Sequence, residues 1–404
     1  MLHHHRTNRE RDCCDTMTSS SAAAPAAPRG GSERDRPNLG SQEGSPILVP
    51  SSCTRGKHTT HSGVAPSMVP LSVLDLATVA TGSTPRQALA ETTRLAAIVE
   101  RLGYNRMWVA EHHGMPAVAS SAPAVLIAHL ANATSTLRVG SGGVMLPNHS
   151  PLVVAEQFGT LEALHPGRID LGLGRAPGTD HVTARALRRD QSLGADGFPD
   201  DVVELVNYLA AGDGPSTHPS STPGRGYLPE VWLLGSSLFS AQLAGQLGLP
   251  YSFAYHFAPG LLDQALETYR SSFRPSFLLG QPQVMVAVSV ICASTDAEAA
   301  WLSGSSALSI LQLRTGRLGL LPSPEEADAY EFSPAELAIV QEVMSTHLIG
   351  SAETVHDGLT RLLRRTDADE IMLSTRVHSY EARVQSLSLV AGTWEMESPS
   401  RLVG

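Results

Sequence analysis

The chain has 404 residues, a formal net charge of −10 and 42% apolar residues, which is enough for a sizeable core. This acidic balance disfavours nucleic acid as a partner, and no apolar run approaches the roughly 20 residues of a membrane-spanning helix. Of the four cysteines, only Cys292 lies beyond the N-terminal tail, and the single lysine, Lys57, lies within it. The main body therefore has no disulfide framework, iron–sulfur cluster or catalytic lysine, and the cysteine usage indicates a cytoplasmic protein.

Residues 1–67 are rich in Ser, Ala, Pro, Gly and Arg and contain no periodic apolar positions, so we expect this segment to be disordered. Its short tract His3, His4, His5 is expected to be inert rather than a metal site. The segment lacks the apolar core of a secretion signal, and Met68 is a natural start for the folded part. We predict a single domain over residues 68–395, followed by a short C-terminal tail at 396–404.

From residue 69 onward, apolar runs alternate with segments of helical periodicity. In chain order the predicted elements are strand 71–76, helix 85–102, strand 106–110, helix 122–133, strand 137–146, helix 151–164, strand 169–174, helix 200–211, strand 231–234, helix 238–247, strand 251–254, helix 261–273, strand 284–292, helix 351–365, strand 370–374 and helix 380–394. Turn residues predict a loop at 212–226, and the span 297–348 should hold helices and a loop around 318–331.

Eight strands alternating with helices predict an α/β fold, a (β/α)8 TIM barrel with insertions. A doubly wound open sheet is the alternative. No G-x-G-x-x-G sequence follows the first strand, and this absence disfavours that alternative. In a barrel, the chemistry gathers at the carboxyl ends of the strands.

The segment 137–178 organises the rest of the chain, because it holds two apolar strands that each end in glycines and are joined by one helix. Ser150 is the expected N-cap of that helix, Pro151 its first-turn residue, and the sequence His-Pro-Gly at 165–167 its end. Such a unit is right-handed with parallel strands, so both glycine-rich ends face the same side. The active site is expected on that side, where the second strand delivers Arg175.

Four polar residues at the ends of two strands predict a phosphate site. Arg175 lies between small residues, which suits an oxyanion that approaches the backbone closely and meets a forked donor. Ser236, Ser237 and Ser240 stand where the next helix begins, and they offer hydroxyls and free amides to the same anion. Taken alone, Arg175 could equally pair with a loop carboxylate such as Asp180, and the serines could simply cap the helix.

Histidines follow two of the predicted strands. Adjacent residues of an extended segment point in opposite directions, so His112 and His113 cannot share one metal site. The first strand also lacks the His-x-His sequence of a metal-dependent hydrolase barrel, and we predict no metal. One imidazole of the pair must face the barrel mouth as acid, base or donor, and we favour His112. We assign His113 and His256, just past the sixth strand, to the substrate pocket.

Several ordered motifs resemble the luciferase-like flavin-dependent oxidoreductases. The resemblance spans about residues 70–391, and its motifs are A-E-H-H-G at 110–114, S-G-G-V-M-L at 141–146, G-R-I-D-L-G-L-G-R at 167–175, L-G-S-S at 234–237 and a helix opening at 348–355. The resemblance implies an eight-stranded barrel that binds reduced FMN, supplied by a separate flavin reductase, and that uses dioxygen to oxidise a small organic substrate.

The same resemblance implies roles for individual residues. His112 matches the family's active-site histidine beside the flavin. The turn at Ser141 and Gly142 would lie against the flavin ring, and the family often has a non-prolyl cis peptide there. Ser236 stands where bacterial luciferases carry a glutamate, so the motifs are closer to the single-chain monooxygenase-like branch. The residues that the resemblance places on the flavin phosphate are Arg175, Ser237 and Ser240.

Two other functions remain open from the sequence. One is a dehydrogenase or reductase of the same superfamily that uses a deazaflavin, since both cofactors share the phosphoribityl end. The other is a non-catalytic flavin-binding protein. Residues 315–330 are a candidate lid over the barrel mouth. Apolar positions such as Val125, Leu126 and Leu130 could form a homodimer interface, although packing against the barrel explains them equally well.

Overall fold

The computed structural model describes residues 68–176, 181–187, 197–210, 221–394 and 396. The predicted disordered tail at 1–67 and the His3 tract lie outside the described residues. So do Asp180, most of the loop predicted at 212–226, and all but one residue of the predicted C-terminal tail. Within the part of the chain that is described, no helix is both long enough and apolar enough to cross a membrane.

Eight parallel strands form a closed barrel. Neighbours pair in chain order from β1 to β7, and the barrel closes because β7 pairs with β9 and β9 pairs with β1. The predicted TIM barrel is thus confirmed, and the open doubly wound sheet is excluded. The strands are β1 Leu71–Asp75, β2 Arg106–Val109, β3 Arg138–Met145, β4 Ile169–Gly174, β5 Glu230–Gly235, β6 Tyr251–Ala254, β7 Val284–Ala293, β8 Leu348–Ser351 and β9 Glu370–Ser374.

Helices cover the outside of the barrel, and most lie within two residues of the predicted positions. Ser150 is the N-cap of the third helix as predicted, but its side chain makes no capping hydrogen bond. The helices are α1 Pro85–Arg101, α2 Pro123–Ala133, α3 Pro151–Leu164, α4 His181–Leu187, α5 Phe198–Leu209, α6 Leu238–Leu247, α7 Leu262–Ser272, α8 Asp296–Arg314, α9 Pro324–Asp328, α10 Pro334–Met344, α11 Ala352–Thr366 and α12 Tyr380–Thr393.

Alternate strand residues build two separate cores. Residues such as Val73, Met107 and Leu171 point outward and pack against the helices in the larger core. The inward positions on five strands meet inside the barrel, where the rings of Trp108 and Trp232 pack edge to face with centroids 5.6 Å apart. Glycines on β3 leave room for one of these rings, since a Cβ atom on Gly140 would lie 2.9 Å from Trp108 Nε1. The residues of the inner cluster are Leu74, Trp108, Trp232, Met285, Ala287 and Met372.

A charged network closes the amino-terminal end of the barrel, and sequence reasoning missed it. The Arg106 guanidinium lies 2.9 Å from Asp170 and 2.9 Å from Glu370, and it is 4% exposed. Arg138 adds a second cation on Asp170, and Glu230 accepts from both arginines. The three carboxylates raise the pKa of Arg106 against the opposing effect of its burial. Charge at this end stabilises the barrel rather than taking part in the chemistry.

The segment after β7 differs from the prediction. Residues 348–355 were expected to open a helix, but Leu348–Ser351 is the strand β8, and α11 begins only after it. The cause is the length of β7, which continues beyond the barrel so that residues 290–293 offer a free edge. β8 pairs with that edge in parallel, Val290 opposite Leu348.

The predicted lid segment 315–330 contains the short helix α9, which begins with a capping box between Ser323 and Glu326. It is tied to the loop after β1 at the carboxyl end of the barrel. Leu321 donates its backbone N–H to Val79 at 3.0 Å and accepts from the backbone N–H of Thr81 at 2.8 Å. The segment therefore lies at the barrel mouth, and its movement as a lid stays a prediction.

Two of the three apolar positions considered for a homodimer interface are core residues. Leu126 is 9% exposed, Leu130 is fully buried, and both belong to the cluster between barrel and helices. Only Val125, 73% exposed, is left on the surface of α2 for such a contact.

Candidate active site

Two neighbouring strands deliver the predicted anion-binding residues to one place. β4 and β5 pair with Leu173 opposite Leu233, so their carboxyl ends lie side by side. Arg175 follows the first of these strands, and its guanidinium carbon lies 4.4 Å from the centroid of the Phe239 ring in the first turn of α6. This cation–π contact brings the arginine to the start of the helix that carries the serines.

The first turn of α6 has backbone amides that its N-cap side chain does not bond. Ser237 is the N-cap, but its side chain does not cap the helix. The Ser240 hydroxyl is buried, donates to the Ser237 carbonyl at 3.1 Å and lies 3.3 Å from the Ser237 hydroxyl. Ser236 adjoins them and is partly exposed. First-turn amides without a side-chain cap attract an anion, and the structure gathers all four predicted residues around them.

The backbone at the end of β5 is shaped around Ser240. A Cβ atom on Gly235 would fall 1.9 Å from the Ser240 hydroxyl oxygen, so only glycine allows this approach. Tyr251 is buried behind the serine, and burial raises the pKa of its phenol, which is therefore neutral. Sequence reasoning missed both Phe239 and Tyr251. The signal for Phe239 was its place between two of the predicted serines.

The Arg175 guanidinium forms no ion pair with any carboxylate that the structure describes. The alternative partner, Asp180, lies outside the described residues. A cation without a carboxylate partner among the described residues, uncapped helix amides and two hydroxyls together fit a phosphate group. The observed residues are thus suited to the phosphate end of a flavin or deazaflavin.

The glycine turn of β3 contains the cis peptide bond Gly142–Gly143. The resemblance predicted such a bond at the adjoining turn of Ser141 and Gly142. The Ser141 side chain is fully buried and is 3.0 Å from both the backbone oxygen and the backbone nitrogen of Gly172. A ligand would therefore meet Ser141 through its backbone only. A Cβ atom on Gly142 would lie 2.9 Å from Leu74, within the inner core. Cofactor contacts by Ser141 and Gly142 stay predictions.

A buried carboxylate organises one side of the mouth. Glu111 is fully buried, and its oxygens lie 2.9 Å from His113 Nε2 and 2.8 Å from His149 Nε2, while the backbone N–H of Met145 donates at 3.0 Å. Burial raises the pKa of Glu111, but the bonds from His149, His113 and Met145 outweigh that effect and lower it overall. His113 is thus hydrogen-bonded to an ionised carboxylate. His149 was missed, because nothing in the sequence shows that a residue after β3 returns to Glu111.

Two other histidines, His112 and His347, lie close enough to His256 to interact with it electrostatically. The His256 ring nitrogen Nδ1 lies 3.2 Å from the Ala287 carbonyl of β7. Burial lowers the pKa of His256, and the charge of nearby His112 lowers it further. Burial also lowers the pKa of His347 to about 4, with a contribution from His256. His113 thus contacts Glu111, whereas His112 lies close enough to His256 to lower its pKa. The roles of His112 at the reacting centre and of His113 and His256 in the substrate pocket stay predictions.

Among the residues with described positions, no group of three His, Cys, Asp or Glu side chains is arranged to hold a metal ion. Cys292 is a buried free thiol, and burial raises its pKa to about 11. One ionised carboxylate, two imidazoles of lowered pKa and a helix start suited to an anion are thus among the chemical groups of these residues.

Comparison with known proteins gives concordant matches. The sequence profile of the luciferase-like monooxygenases matches residues 69–370. A protein of Escherichia coli K12 called luciferase-like monooxygenase is 51% identical over 321 residues, which cover 80% of this chain and 96% of that protein. The N-acetyl-S-alkylcysteine monooxygenase of Bacillus subtilis is 34% identical, covering 80% and 98% of the two chains. The crystal structure of apo-MsnO8 superimposes with a TM-score of 0.76 at 38% identity, covering 82% and 99%.

Proposed function

Because the chain belongs to the luciferase-like monooxygenase family, we propose that this oxidoreductase binds reduced FMN and uses dioxygen to oxygenate a small organic substrate. One oxygen atom enters the substrate and the other leaves as water, with two electrons from the flavin and two protons completing the balance. A separate flavin reductase supplies the reduced flavin.

The observation that carries this proposal is the meeting of Arg175 with the uncapped end of α6. The guanidinium, the Ser237 and Ser240 hydroxyls and the first-turn amides hold the flavin phosphate. These residues would hold the phosphate end of the cofactor at the carboxyl ends of β4 and β5, and the cis turn of β3 lies next to β4. Bound reduced flavin supplies the electrons that activate dioxygen, so the protein needs neither a metal nor a nucleophilic cysteine.

The histidines of the mouth perform the proton chemistry. His112 faces the reacting centre as the acid, base or hydrogen-bond donor. His113 and His149 are held by ionised Glu111, which keeps their rings in fixed orientations. His256 is uncharged at neutral pH, since burial lowers its pKa, and it lines the substrate pocket as a neutral donor or acceptor. The segment 315–330 limits the access of water to the mouth.

The deazaflavin-dependent dehydrogenase is the second candidate, because both cofactors share the phosphoribityl end that the proposed phosphate site would bind. The two are separated by titrating the purified full chain with FMN and with the deazaflavin, followed by flavin fluorescence. We expect FMN to bind with the higher affinity. Binding of the deazaflavin together with no binding of FMN would replace the monooxygenase by the dehydrogenase.

Oxygen transfer is tested directly with isotopically labelled dioxygen. The full chain receives chemically reduced FMN and S-alkyl derivatives of N-acetylcysteine, the substrate class named for the Bacillus relative. We expect one labelled oxygen atom in the product, and a loss of about 100-fold or more in turnover for His112→Ala with unchanged FMN affinity. Flavin binding without substrate-dependent oxygen consumption would indicate the non-catalytic flavin-binding protein instead.

A further inference from the structure

Three arginines can be compared by their carboxylate partners, and one of them differs from the other two. Arg106 lies 2.9 Å from Asp170, and Arg383 lies 2.8 Å from Asp75. Arg376 has no carboxylate partner among the residues whose positions are described. A partly buried cation without a described counter-charge carries a desolvation cost, so its presence calls for a physical explanation.

The contacts of Arg376 leave part of its guanidinium unused. One terminal nitrogen, Nη2, donates to the Ser309 hydroxyl of α8 at 2.8 Å. The Nε atom is buried and has no hydrogen-bond partner in the described part of the chain. Burial lowers the pKa of Arg376 to about 10, so the group still carries its positive charge at neutral pH. Through Nε and a terminal nitrogen, a guanidinium can bind a carboxylate with two parallel hydrogen bonds.

Two other hydroxyls of described residues also lack a partner, one next to Arg376 in the chain and one on α8. Thr375 is 8% exposed, and its hydroxyl has no partner within the described structure. Ser305 is fully buried and likewise has an unpaired hydroxyl, one helical turn before Ser309. Buried polar atoms are paired in the great majority of cases, and each exception calls for an explanation, such as a ligand or a water that completes the bonding.

The position of Arg376 is at the rim of the barrel mouth. It follows β9, whose last residue Ser374 pairs with Leu74 of β1 and with Ser289 of β7. β7 also carries the carbonyl that meets His256. Arg376 therefore stands beyond the carboxyl ends of strands on the histidine side of the mouth, and three strand positions separate β9 from β5 and its phosphate site.

We propose that Arg376 binds a carboxylate of the substrate, which makes the substrate class small organic acids; this rests on the proposed function. One guanidinium compensates one carboxylate charge, and its planar fork matches a planar carboxylate. The site orients the acid end of the substrate, so that its other end reaches the histidines of the mouth.

The test measures thermal unfolding of the full chain without flavin. The probes are acetate against acetamide, N-acetyl-S-methylcysteine against its amide, and inorganic phosphate. At a large excess over the dissociation constant, we expect each acid to raise the melting temperature by about 2 °C or more, and each neutral amide to leave it unchanged. No stabilisation by either acid, or equal effects of acids and amides, would overturn the proposal.

Variants assign the response to this side chain. Arg376→Met is expected to lose the response to the acids, and Arg376→Lys to keep part of it. Arg365→Met, which removes an exposed guanidinium on α11, serves as the matched control and should respond as the wild type does. A response that persists in Arg376→Met overturns the site. A larger Arg376-dependent response to phosphate than to either acid overturns the carboxylate assignment.

The same measurements separate a ligand site from a structural role. Without any acid, Arg376→Met should be at least as stable as the wild type, because it removes an uncompensated charge. A melting temperature several degrees lower would indicate a structural arginine. Flavin affinity is measured in parallel and should not change in the variant. Failure of the wild type to bind FMN would contradict the proposed function, while the acid response of the flavin-free chain would still decide this inference.

Discussion

The Arg175 guanidinium rests on the face of the Phe239 ring, at 4.4 Å from the centroid. The ring limits the positions open to the arginine and keeps it beside the first turn of α6. Since Phe239 stands between Ser237 and Ser240 in the chain, the cation and the hydroxyls share one small region. A single aromatic side chain thus helps to prepare the anion site before any ligand arrives.

The close approach of Gly235 to Ser240 gives a sharp prediction. Gly235→Ala would place a methyl group 1.9 Å from the Ser240 hydroxyl oxygen, so the serine must move away from the helix start. We expect a loss of about 1–3 kcal/mol in the free energy of unfolding and at least tenfold weaker FMN binding. Urea unfolding and flavin fluorescence quenching measure the two effects.

The matched control is Gly280→Ala, since a Cβ atom there would meet nothing within 4 Å. This variant should keep wild-type stability and FMN affinity. Adding Ser240→Gly to the first variant removes the clash and should restore most of the stability, but not the FMN affinity. Unchanged FMN binding by Gly235→Ala would show that Ser240 takes no part in the phosphate site.

Glu111 provides a prediction about acid stability. Its folded-state pKa lies below the unfolded-state value, because His149, His113 and the Met145 N–H bond the ionised form. The resulting stabilisation is complete above the unfolded-state pKa and is lost as pH falls through the folded-state pKa. Glu111→Gln should therefore lose about 1–3 kcal/mol at neutral pH, and the difference from the wild type should shrink in acid.

Urea unfolding at several pH values measures this difference, with the exposed Glu331→Gln as a control that should match the wild type throughout. An equal loss at neutral and acidic pH would mean that packing, rather than the charge of Glu111, accounts for the effect.

Burial of His347 predicts a second loss of stability in acid, in the same direction as that of Glu111. The cause differs, because burial disfavours the charged His347 ring, whereas hydrogen bonds favour the charged Glu111 carboxylate. The pKa of His347 is about 4 in the folded chain because burial disfavours the charged ring, against an ordinary value of 6.5. The unfolded chain therefore binds the extra proton between these values, and stability falls as pH drops from 6.5 to 4, by up to about 3 kcal/mol. His347→Gln should flatten this part of the stability profile. An unchanged slope would show that the pKa of His347 does not differ between the folded and unfolded chain.

Much of the barrel could be predicted because its strands are buried on both faces and read as continuous apolar runs. The strand Ile169–Gly174 was predicted with its observed ends, since a glycine-rich stop precedes it and Arg175 follows it. The convergence of Arg175 with the serines after β5 followed from the parallel order of the strands alone. Local pattern and topology thus fixed which end of the barrel carries the polar groups.

The remaining features depend on pairings between distant residues. The sequence did not predict β8, because β8 pairs with the part of β7 that extends beyond the barrel. The contacts of Glu111 with His149 and of Arg106 with Glu370 join residues far apart in the chain, and polar residues within strands gave no signal of which partners they meet. That Arg376 meets no carboxylate in the described part of the chain is likewise visible only from the folded structure.

The most direct test of the phosphate site compares FMN with riboflavin, which lacks the phosphate, in the wild type and in Arg175→Met. The wild type should bind FMN more tightly than riboflavin by about tenfold or more, as expected for charge-assisted hydrogen bonds. In Arg175→Met this preference should largely disappear, while riboflavin affinity stays the same. An equal preference for FMN in both proteins would contradict the account, because the phosphate would then be held somewhere other than at Arg175 and the start of α6.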